Sequence, residues 1–382
     1  MPPTDPRLSD LPTPALLVDE WRMRRNIRRL AEHIEALGVT LRPHLKTTKS
    51  VEIAQLLLAD GTGPATVSTL AEAEAFAAAG VSDIIYAVGI APQKLDRVAA
   101  IRAGGCDLSV ILDSVEQAKA VAEASRRLGA GIPALIEIDS DGHRGGVRPS
   151  GPVLLEIGRI LDESGAELRG VLTHAGESYG AYGTEAQAEF AERERQAAVD
   201  AASVLRASGL PCPVTSVGSS PTAHAAQDLN GVTEVRAGVY VFFDLVQAGI
   251  GTCAVDDIAL SVLTTVIGHQ REKGWVITDA GWMAMSRDRG TADQKVDQGY
   301  GLVCDEAGKV IPDLIVASAN QEHGIVARRP GSNAPVPDLP VGTRLRILPN
   351  HACATAAQFA HYDVIPLAGD APLKTCHRVQ GW

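Results

Sequence analysis

The chain has 382 residues, of which 45% are hydrophobic and 21% charged, and its formal net charge at pH 7 is −11. This length exceeds the size at which one hydrophobic core stops growing, which predicts two domains. The acidic charge argues against nucleic acid or an anionic membrane surface as a partner, and no apolar run approaches the roughly 20 residues of a membrane helix. The N-terminus is rich in proline and lacks an apolar signal core, so we expect a cytoplasmic protein.

Strand-like and helix-like stretches alternate through the first two thirds of the chain. An extended segment over residues 12–19 precedes an amphipathic helix over residues 20–37, with Asp19 as its N-cap. Eight short apolar runs then predict strands at residues 39–42, 65–68, 84–88, 108–112, 134–138, 170–174, 214–217 and 234–242. Helical runs separate them, among them residues 71–79, 115–128, 152–164 and 185–208.

These strands are apolar without alternation, as in parallel strands that are covered on both faces. Eight strand–helix units predict an α/β fold, a (β/α)8 barrel, over residues 15–252. A doubly wound sheet is the alternative, but no GxGxxG follows the first strand. After about residue 255, strand-like runs at 258–267, 275–279, 324–327 and 343–348 follow one another without a long helix. We therefore predict a second, β-rich domain over residues 253–382, completed by residues 1–14.

The stretch LRPHLKTTKS places Lys46 directly after the first predicted strand of the barrel. Barrel enzymes carry their chemistry at this end of the strands, and a lysine in a dry or cationic pocket can lose its proton and form a Schiff base. We expect His44 and Lys49 to act as neighbouring cations that lower the pKa of Lys46. Taken alone, such a residue is more often a solvated surface lysine, and the rest of the chain decides against that interpretation.

Three further motifs follow predicted barrel strands. VGSSPT after the seventh strand offers N–H groups and hydroxyls for an anion, or else a simple helix cap with a tight turn. RAGVY lies on the eighth strand, where these barrels commonly bind phosphate. DSDGHRGG and LTHAGES end the fifth and sixth strands. They supply Arg144, suited to a phenolate or phosphate, and His174, suited to stacking on a flat ring. Taken singly, a solvated turn and a satisfied strand-end histidine are the favoured alternatives.

A candidate metal site lies in the second domain, in the motif PNHACAT. In an extended segment His351 and Cys353 would point to the same side, and imidazole with thiolate suits Zn²⁺ or another borderline divalent ion. For HxC alone, coincidence is the alternative. Gln321 and His323 in QEHG could border this site or form an ordinary turn. Arg287 and Arg289, in a charged loop over residues 286–301, could hold a substrate carboxylate or be solvated.

The chain resembles the fold-type III pyridoxal-phosphate enzymes. Within them it is similar to the group of D-serine dehydratase, D-threonine aldolase and D-threo-3-hydroxyaspartate dehydratase. The motifs that carry this likeness are RPHLKTTKS, TVSTLAEAE, EIDSDGHRGGV, LTHAGESY, SVGSSPTA, TEVRAGVYVFFD, DAGWMAMSRDRGT, ANQEHG and PNHACAT. They run in one order over nearly the whole chain. The resemblance implies a barrel of alanine-racemase type, a homodimer, and pyridoxal 5'-phosphate with a divalent metal (Zn, Mn or Mg) as cofactors.

The resemblance also implies roles for individual residues. Lys46 stands where the family's Schiff-base lysine stands, Arg144 near the 3-oxygen of the ring, and His174 on the ring itself. Arg236 matches the arginine that faces the pyridine nitrogen in alanine racemases. The other implied cofactor residues, most of them at the phosphate, are Tyr179, Gly218, Ser219, Ser220, Thr222, Gly238 and Tyr240. His351 and Cys353 match the metal pair, with Gln321 and His323 as candidate substrate residues.

The implied activity is dehydration of a D-3-hydroxy amino acid, which would give oxaloacetate and ammonia from 3-hydroxyaspartate. D-serine dehydration and aldol cleavage to glycine and an aldehyde are the alternatives. The family's aldolases tend to carry an aspartate where Cys353 stands, which favours dehydration, and no tyrosine can be placed as a racemase base. A non-catalytic pyridoxal-binding protein would lack the second domain. A metal-dependent barrel hydrolase would need more ligands at strand ends.

Overall fold

The computed structural model describes residues 8–58, 60–369 and 371–382. Its strands, numbered along the chain, are β1 Ala15–Asp19, β2 Thr40–Pro43, β3 Ala65–Val67, β4 Asp83–Gly89, β5 Asp107–Leu112, β6 Pro133–Ile138, β7 Glu167–Thr173, β8 Val214–Val217, β9 Glu234–Ala237, β10 Leu260–Gln270, β11 Trp275–Thr278, β12 Gly301–Asp305, β13 Val310–Ala319, β14 Gly324–Arg328, β15 Arg344–Pro349, β16 His361–Ile365 and β17 Lys374–His377. Its α-helices are α1 Glu20–Ala36, α2 Val51–Leu57, α3 Leu70–Ala78, α4 Leu95–Ala103, α5 Val115–Leu128, α6 Pro152–Glu163, α7 Thr184–Ala207, α8 Ser220–Ala225, α9 Leu245–Gly249, α10 Trp282–Met285 and α11 Ala352–Ala356.

One compact unit, formed by residues 28–240 with residues 379–382, contains an eight-stranded sheet in the order β2-β9-β8-β7-β6-β5-β4-β3. All of its paired strands are parallel; in β2 and β9, for example, Thr40 lies opposite Glu234. A parallel bridge between His44 and Thr66 joins the two end strands. The sheet therefore closes on itself, and the predicted (β/α)8 barrel is confirmed.

Both faces of the barrel strands are buried, which explains their continuous apolar runs. Ile85, Ile111, Leu135 and Leu172 form one cluster, while their chain neighbours pack in a larger cluster with the helices. Successive side chains of a strand point to opposite faces, so the first cluster fills the barrel and the second lies outside it. Burying each such aliphatic side chain contributes about 1.5–3 kcal/mol.

Polar residues set the ends of the surrounding helices. The side chain of Thr69 accepts a hydrogen bond from the N–H of Glu72 at the start of α3, and Ser114 does the same for Gln117 at α5. These caps satisfy donors that have no partner within the helix. Helix α5 ends at Gly129, whose φ of 63° is the left-handed conformation that glycine adopts without strain. The predicted ends of these two helices, over residues 71–79 and 115–128, agree with the observed ends of α3 and α5 within a residue or two.

The second compact unit comprises the described residues up to Ile27 together with Val241–Arg378. It contains a nine-stranded sheet in the order β11-β14-β13-β12-β15-β10-β1-β16-β17. Its neighbouring strands are antiparallel except for β1 and β16, which run parallel. The predicted β-rich second domain is confirmed. Strands β12, β13, β16 and β17 were not among the predicted ones.

The two units differ from the predicted bounds at both ends of the barrel. Strand β1 pairs with β10 and β16, so residues 15–27 belong with the β-rich unit. Residues 241–252 belong there too, because the last predicted barrel strand ends at Ala237 and continues as a 3-10 turn over Val239–Val241. Residues 1–7 of the N-terminal segment lie outside the described residues. No helix in the described part of the chain is both long and apolar enough to cross a membrane.

Candidate active site

Four residues that the sequence singled out, His44, Lys46, His174 and Arg236, lie at the C-terminal end of the barrel strands. Lys46 follows β2, His174 follows β7, and Arg236 lies on β9. Burial, and after it the positive charges of Lys46 and Arg236, lower the pKa of both His44 and His174. Such mutual effects require short distances, so the structure brings these side chains together.

The surroundings of Lys46 differ in one respect from expectation. His44 has a pKa well below its usual value, because of its burial and the nearby cations, and is therefore neutral. Lys49 Nζ lies 2.9 Å from Glu72 Oε1, which compensates its charge, and 5.6 Å from the centre of the Trp382 ring. Neither residue acts as the uncompensated neighbouring cation that we predicted. Arg236 is instead the buried cation at this end of the barrel.

Arg236 is held inside the barrel by polar partners. Its guanidinium donates to Ser216 Oγ at 2.6 Å and to the carbonyl of Thr173. Burial lowers its pKa to about 10, against the opposing charges of Glu234 and other acids. The side chain therefore remains protonated at neutral pH, with a fixed position and a fixed charge.

His174 is oriented by the backbone of the neighbouring loop. Its Nδ1 lies 3.0 Å from the carbonyl oxygen of Gly218 and donates to it, so Nδ1 carries the proton of the neutral ring. Burial lowers the pKa of His174 to about 3, although this hydrogen bond acts in the opposite direction. The Tyr179 ring lies 6.2 Å away, tilted by 53°. A neutral imidazole in a fixed plane suits packing against an aromatic cofactor.

The lowered pKa of His174 predicts acid sensitivity of the cofactor-free protein. The unfolded chain binds a proton below about pH 6.5 while folded His174 does not, so stability is full above that pH and falls towards pH 3. The slope is at most about 1.4 kcal/mol per pH unit. In urea titrations, the free energy of unfolding of the parent chain should fall between about pH 7.5 and about pH 5. We expect this fall to be smaller in His174→Gln. His361→Gln, an exposed histidine of the β-rich unit, should keep the full difference.

The predicted phosphate segment is a capped helix start whose N–H groups are partly engaged. Ser219 and Thr222 form a reciprocal capping box at α8, in which the N–H of Ser219 donates to Thr222 Oγ1 at 3.0 Å. The N–H of Gly218 donates to Glu194 Oε1, also at 3.0 Å. These two backbone N–H groups therefore already have acceptors in the protein, whereas we predicted that N–H groups of this segment would bind an anion.

Two hydroxyls of the predicted set remain for an anion. Ser220 Oγ and the Tyr240 hydroxyl are buried and have no hydrogen-bond partner within the described chain. His224 connects the two residues, because its Nδ1 bonds to the Ser220 carbonyl at 2.8 Å and its ring lies 6.2 Å from that of Tyr240. A buried hydroxyl without a partner costs about 1–3 kcal/mol, so this pair fits a phosphate group.

Two glycines allow the close approach of backbone at the same place. A Cβ on Gly238 would lie 2.9 Å from the carbonyl oxygen of His44 and 3.1 Å from Thr47 Oγ1. Gly218 has a φ of 137°, and its Cβ would collide with the Arg236 carbonyl at 2.1 Å. Only glycine fits either position. These glycines let the backbone pack closely beside Ser220 and Tyr240, whose unpartnered hydroxyls are the groups that suit a phosphate ester.

Arg144 lies on the loop after β6, where its guanidinium is 3.6 Å from Glu137 Oε1 and more than half exposed. Burial raises the pKa of Glu137, while the charge of Arg144 lowers it. A hydrogen bond of 2.8 Å between His143 Nδ1 and Glu177 Oε1 holds this loop to the segment after β7. Glu137 was missed in the sequence because it lies inside an apolar strand.

The predicted metal pair lies in the β-rich unit, and its local structure differs from the expected one. The segment is not extended: helix α11 begins directly after His351, and Cys353 lies in its first turn. The thiol nevertheless contacts the imidazole, and His351 Nδ1 lies 2.7 Å from Asp288 Oδ2. Burial lowers the pKa of His351, but Asp288 and Cys353 outweigh it and raise the value to about 11.

This donor set suits a divalent metal ion. A carboxylate on Nδ1 fixes the histidine tautomer and leaves Nε2 for a metal, and a thiol stands beside it. Among the described residues no group of three or more histidine, cysteine or acidic side chains forms a complete site. An ion held here by two protein ligands would keep positions for water or substrate, as a catalytic metal does.

Sequence reasoning missed the residues that support this pair. Asn350 Nδ2 donates to the carbonyls of Asp288 and Gly299, at 3.1 and 2.7 Å, and so orders the loop over residues 286–301. Buried Asp244 accepts the N–H of Ala352 at 2.9 Å. Asn350 adjoins His351 in the sequence, and this adjacency is the one signal that could have identified it.

The remaining candidates lie on the surface of the β-rich unit. Gln321 and His323 occupy an exposed turn between β13 and β14. Arg287 stacks on the Trp282 ring at 4.4 Å, and Arg289 pairs with Asp297 at 2.7 Å. Both arginines thus have partners in the protein, and a role in substrate binding stays a prediction.

Comparison with known proteins identifies the family. Residues 18–246, more than half of the chain, match the family described as alanine racemase, N-terminal domain. The chain belongs to the alanine racemase-like family. Residues 259–365, in the β-rich unit, match the model described as a serine dehydratase domain.

Individual relatives agree with this assignment. D-threo-3-hydroxyaspartate dehydratase from Delftia sp. (strain HT23) is 57% identical over 98% of this chain and 99% of its own length. The solved structure of a C353A mutant of D-threo-3-hydroxyaspartate dehydratase in the metal-free form has a TM-score of 0.95, with 56% identity over 98% of this chain and 99% of that one. An ala racemase-like protein from Idiomarina loihiensis has a TM-score of 0.95, 48% identity and full coverage of both chains. More distant relatives include D-serine dehydratases and D-threonine aldolase, so the predicted group is confirmed. Pyridoxal phosphate is the cofactor expected of this family.

Proposed function

We propose that the chain is a pyridoxal-phosphate- and metal-dependent dehydratase that converts D-threo-3-hydroxyaspartate into oxaloacetate and ammonia. The observation that carries this proposal is the 57% identity, over 98% of the chain, to a relative of that activity. The lysine at the barrel end and the histidine–cysteine pair in the β-rich unit are the residues that such a reaction requires. The active form is proposed to be a homodimer, as the family resemblance of the motifs implies.

Residues at the barrel end would hold the cofactor. Lys46 Nζ would bind its aldehyde, the hydroxyls of Ser220 and Tyr240 would donate to its phosphate, and His174 would pack on its ring. When bound, pyridoxal phosphate supplies an electron sink for the α-carbon of the substrate. Once the substrate amine has replaced it at the aldehyde, the freed Lys46 Nζ would take the α-proton from one face, and this one-sided transfer explains the preference for a D-amino acid.

The β-hydroxyl is a poor leaving group and needs an electrophile. His351 Nε2 and Cys353 Sγ would hold a divalent ion, which supplies a Lewis acid for the departing oxygen. Imidazole and thiolate favour Zn²⁺ over the harder Mn²⁺ or Mg²⁺. Asp288 holds the proton of His351 at Nδ1 and so keeps Nε2 free for the ion.

Aldol cleavage is the second candidate, since aldolases of D-threonine and 3-hydroxy-D-aspartate are among the relatives. It uses the same lysine and metal but breaks the bond between Cα and Cβ. D-Serine dehydration is a third, with relatives 28% and 31% identical. The thiol at Cys353, where aldolases of the family tend to carry a carboxylate, favours the dehydratases.

Product analysis separates these activities. We expect the purified protein to release equal amounts of oxaloacetate and ammonia from D-threo-3-hydroxyaspartate, with D-serine turned over more slowly. Coupled malate dehydrogenase and glutamate dehydrogenase assays measure the two products. Glycine and glyoxylate in place of oxaloacetate would identify an aldolase. A stronger reaction with D-serine would shift the assignment to that dehydratase, and the L-isomers serve as the stereochemical control.

A further inference from the structure

Helix α7 carries a buried carboxylate that no predicted role includes. Glu194 is 2% exposed, and three groups donate to it. The N–H groups of Ala175 and Gly218 reach Oε1 at 2.8 and 3.0 Å, and Thr222 Oγ1 reaches Oε2 at 2.7 Å. One side chain thus connects the loop after β7 with the loop after β8.

The groups that Glu194 holds adjoin the residues of the cofactor site. Ala175 follows His174, and the carbonyl of Gly218 accepts the Nδ1 proton of that histidine. Thr222 closes the capping box with Ser219 at the start of α8, immediately beside Ser220. Glu194 therefore holds backbone and side-chain groups on both sides of the segment that carries the unpartnered Ser220 hydroxyl.

The hydrogen-bond partners of Glu194 in this segment are all donors, which suits a carboxylate. Two of these donors are backbone N–H groups, which cannot accept a hydrogen bond, and the third is the Thr222 hydroxyl, which also accepts the N–H of Ser219. Burial raises the pKa of Glu194, but these three donors and the charge of Arg236 oppose that effect. A carboxylate in this place cannot itself bind a phosphate, since the two charges repel. Its contribution is to fix the donors around the anion.

We infer that Glu194 is a positioning residue that holds the Gly218–Thr222 segment so that the Ser220 hydroxyl meets the phosphate of the cofactor. This inference rests on the proposed function only for the identity of the cofactor. It predicts that loss of the carboxylate weakens the binding of the phosphate group of pyridoxal phosphate more than the binding of its ring.

The test compares binding of pyridoxal phosphate and of pyridoxal, which lacks the phosphate, to the full-length chain after removal of cofactor. In Glu194→Ala, we expect the ratio of the two affinities to fall about tenfold or more, because three buried donors lose their acceptor. Glu194→Gln keeps the amide oxygen for both N–H groups, and its nitrogen can donate to Thr222 Oγ1. That variant should keep the ratio within about threefold of the parent. Absorbance and tryptophan fluorescence titrations give both affinities.

A matched control separates positioning from general loss of stability. Ser125 Oγ accepts the buried N–H of Ile132 before β6, at the opposite end of the strands. Ser125→Ala should lower the melting temperature without changing the affinity ratio. A folded Glu194→Ala with an unchanged ratio would overturn the inference, as would Glu194→Gln falling as far as Glu194→Ala. Because the readout is cofactor binding, the result is independent of which products the enzyme forms.

Discussion

Lys46→Ala is expected to abolish turnover and to remove the visible absorbance of covalently bound pyridoxal phosphate. A primary amine is required to condense with the aldehyde of the cofactor, and a methyl group cannot do so. The same amine is the proposed base at the α-carbon, so activity should fall by several orders of magnitude. Spectra of the purified variant with added cofactor, together with the oxaloacetate assay, measure both effects.

Lys49 provides the matched control, since it lies three residues further along the same loop. Its ammonium pairs with buried Glu72, and arginine can keep that ion pair. We expect Lys49→Arg to retain the absorbance and most of the activity. Borohydride treatment of the parent chain should fix the cofactor on the peptide that contains Lys46. An adduct on another lysine, or a yellow Lys46→Ala protein, would refute the assignment.

Periodicity and composition predict most of the barrel because its strands are short, apolar and separated by amphipathic helices. The run over residues 108–112 differs by one residue from strand β5. The β-rich unit was harder to predict, and β13 shows why. It contains Pro312 and Asp313, and Asp313 has a φ of 56°, features that argue against a strand. Strand β17 is largely exposed at the sheet edge and has no apolar pattern.

In the candidate site, too, residues with a local sequence pattern were predictable and residues whose partners are distant in sequence were not. Lys46, His174 and the segment around Ser220 are recognisable because each directly follows a barrel strand. Glu194 lies in the middle of a helix among other charged residues, and its partners are far away in sequence. A signal does exist: Glu194 falls on the buried face of α7 at helical spacing from Ala191 and Ala198. A charged residue on an apolar helix face calls for a buried partner.

The metal pair was predicted from a backbone conformation that proved wrong. An extended HxC segment was expected to align the two side chains, but His351 precedes a helix whose first turn contains Cys353. The two side chains meet in either arrangement, so the residue types predicted the contact while the backbone prediction failed. Asp288 lies more than sixty residues earlier, in a loop without periodicity, and only the folded chain brings it to His351.

His351→Ala is expected to lose bound metal and turnover while it retains the cofactor absorbance. Removing one of two protein ligands should weaken metal binding by more than the roughly 10–100-fold that loss of a supporting residue causes. Asp288→Ala tests that supporting role: Nδ1 would no longer be held by the carboxylate, and metal affinity should fall by about 10–100-fold. Metal analysis after dialysis, the visible spectrum and the oxaloacetate assay with graded Zn²⁺ or Mn²⁺ give the three readouts.

His361 is the control for these substitutions, because it is another histidine of the β-rich unit with a carboxylate nearby, 3.7 Å from Asp363. His361→Ala should keep the metal content and activity of the parent chain. Chelation of the parent should reproduce the loss seen in His351→Ala, and added metal should restore only the parent and, at higher concentration, Asp288→Ala. Undiminished turnover in metal-free protein would exclude a Lewis acid from the reaction. The residues of the barrel alone would then have to assist the departure of hydroxide.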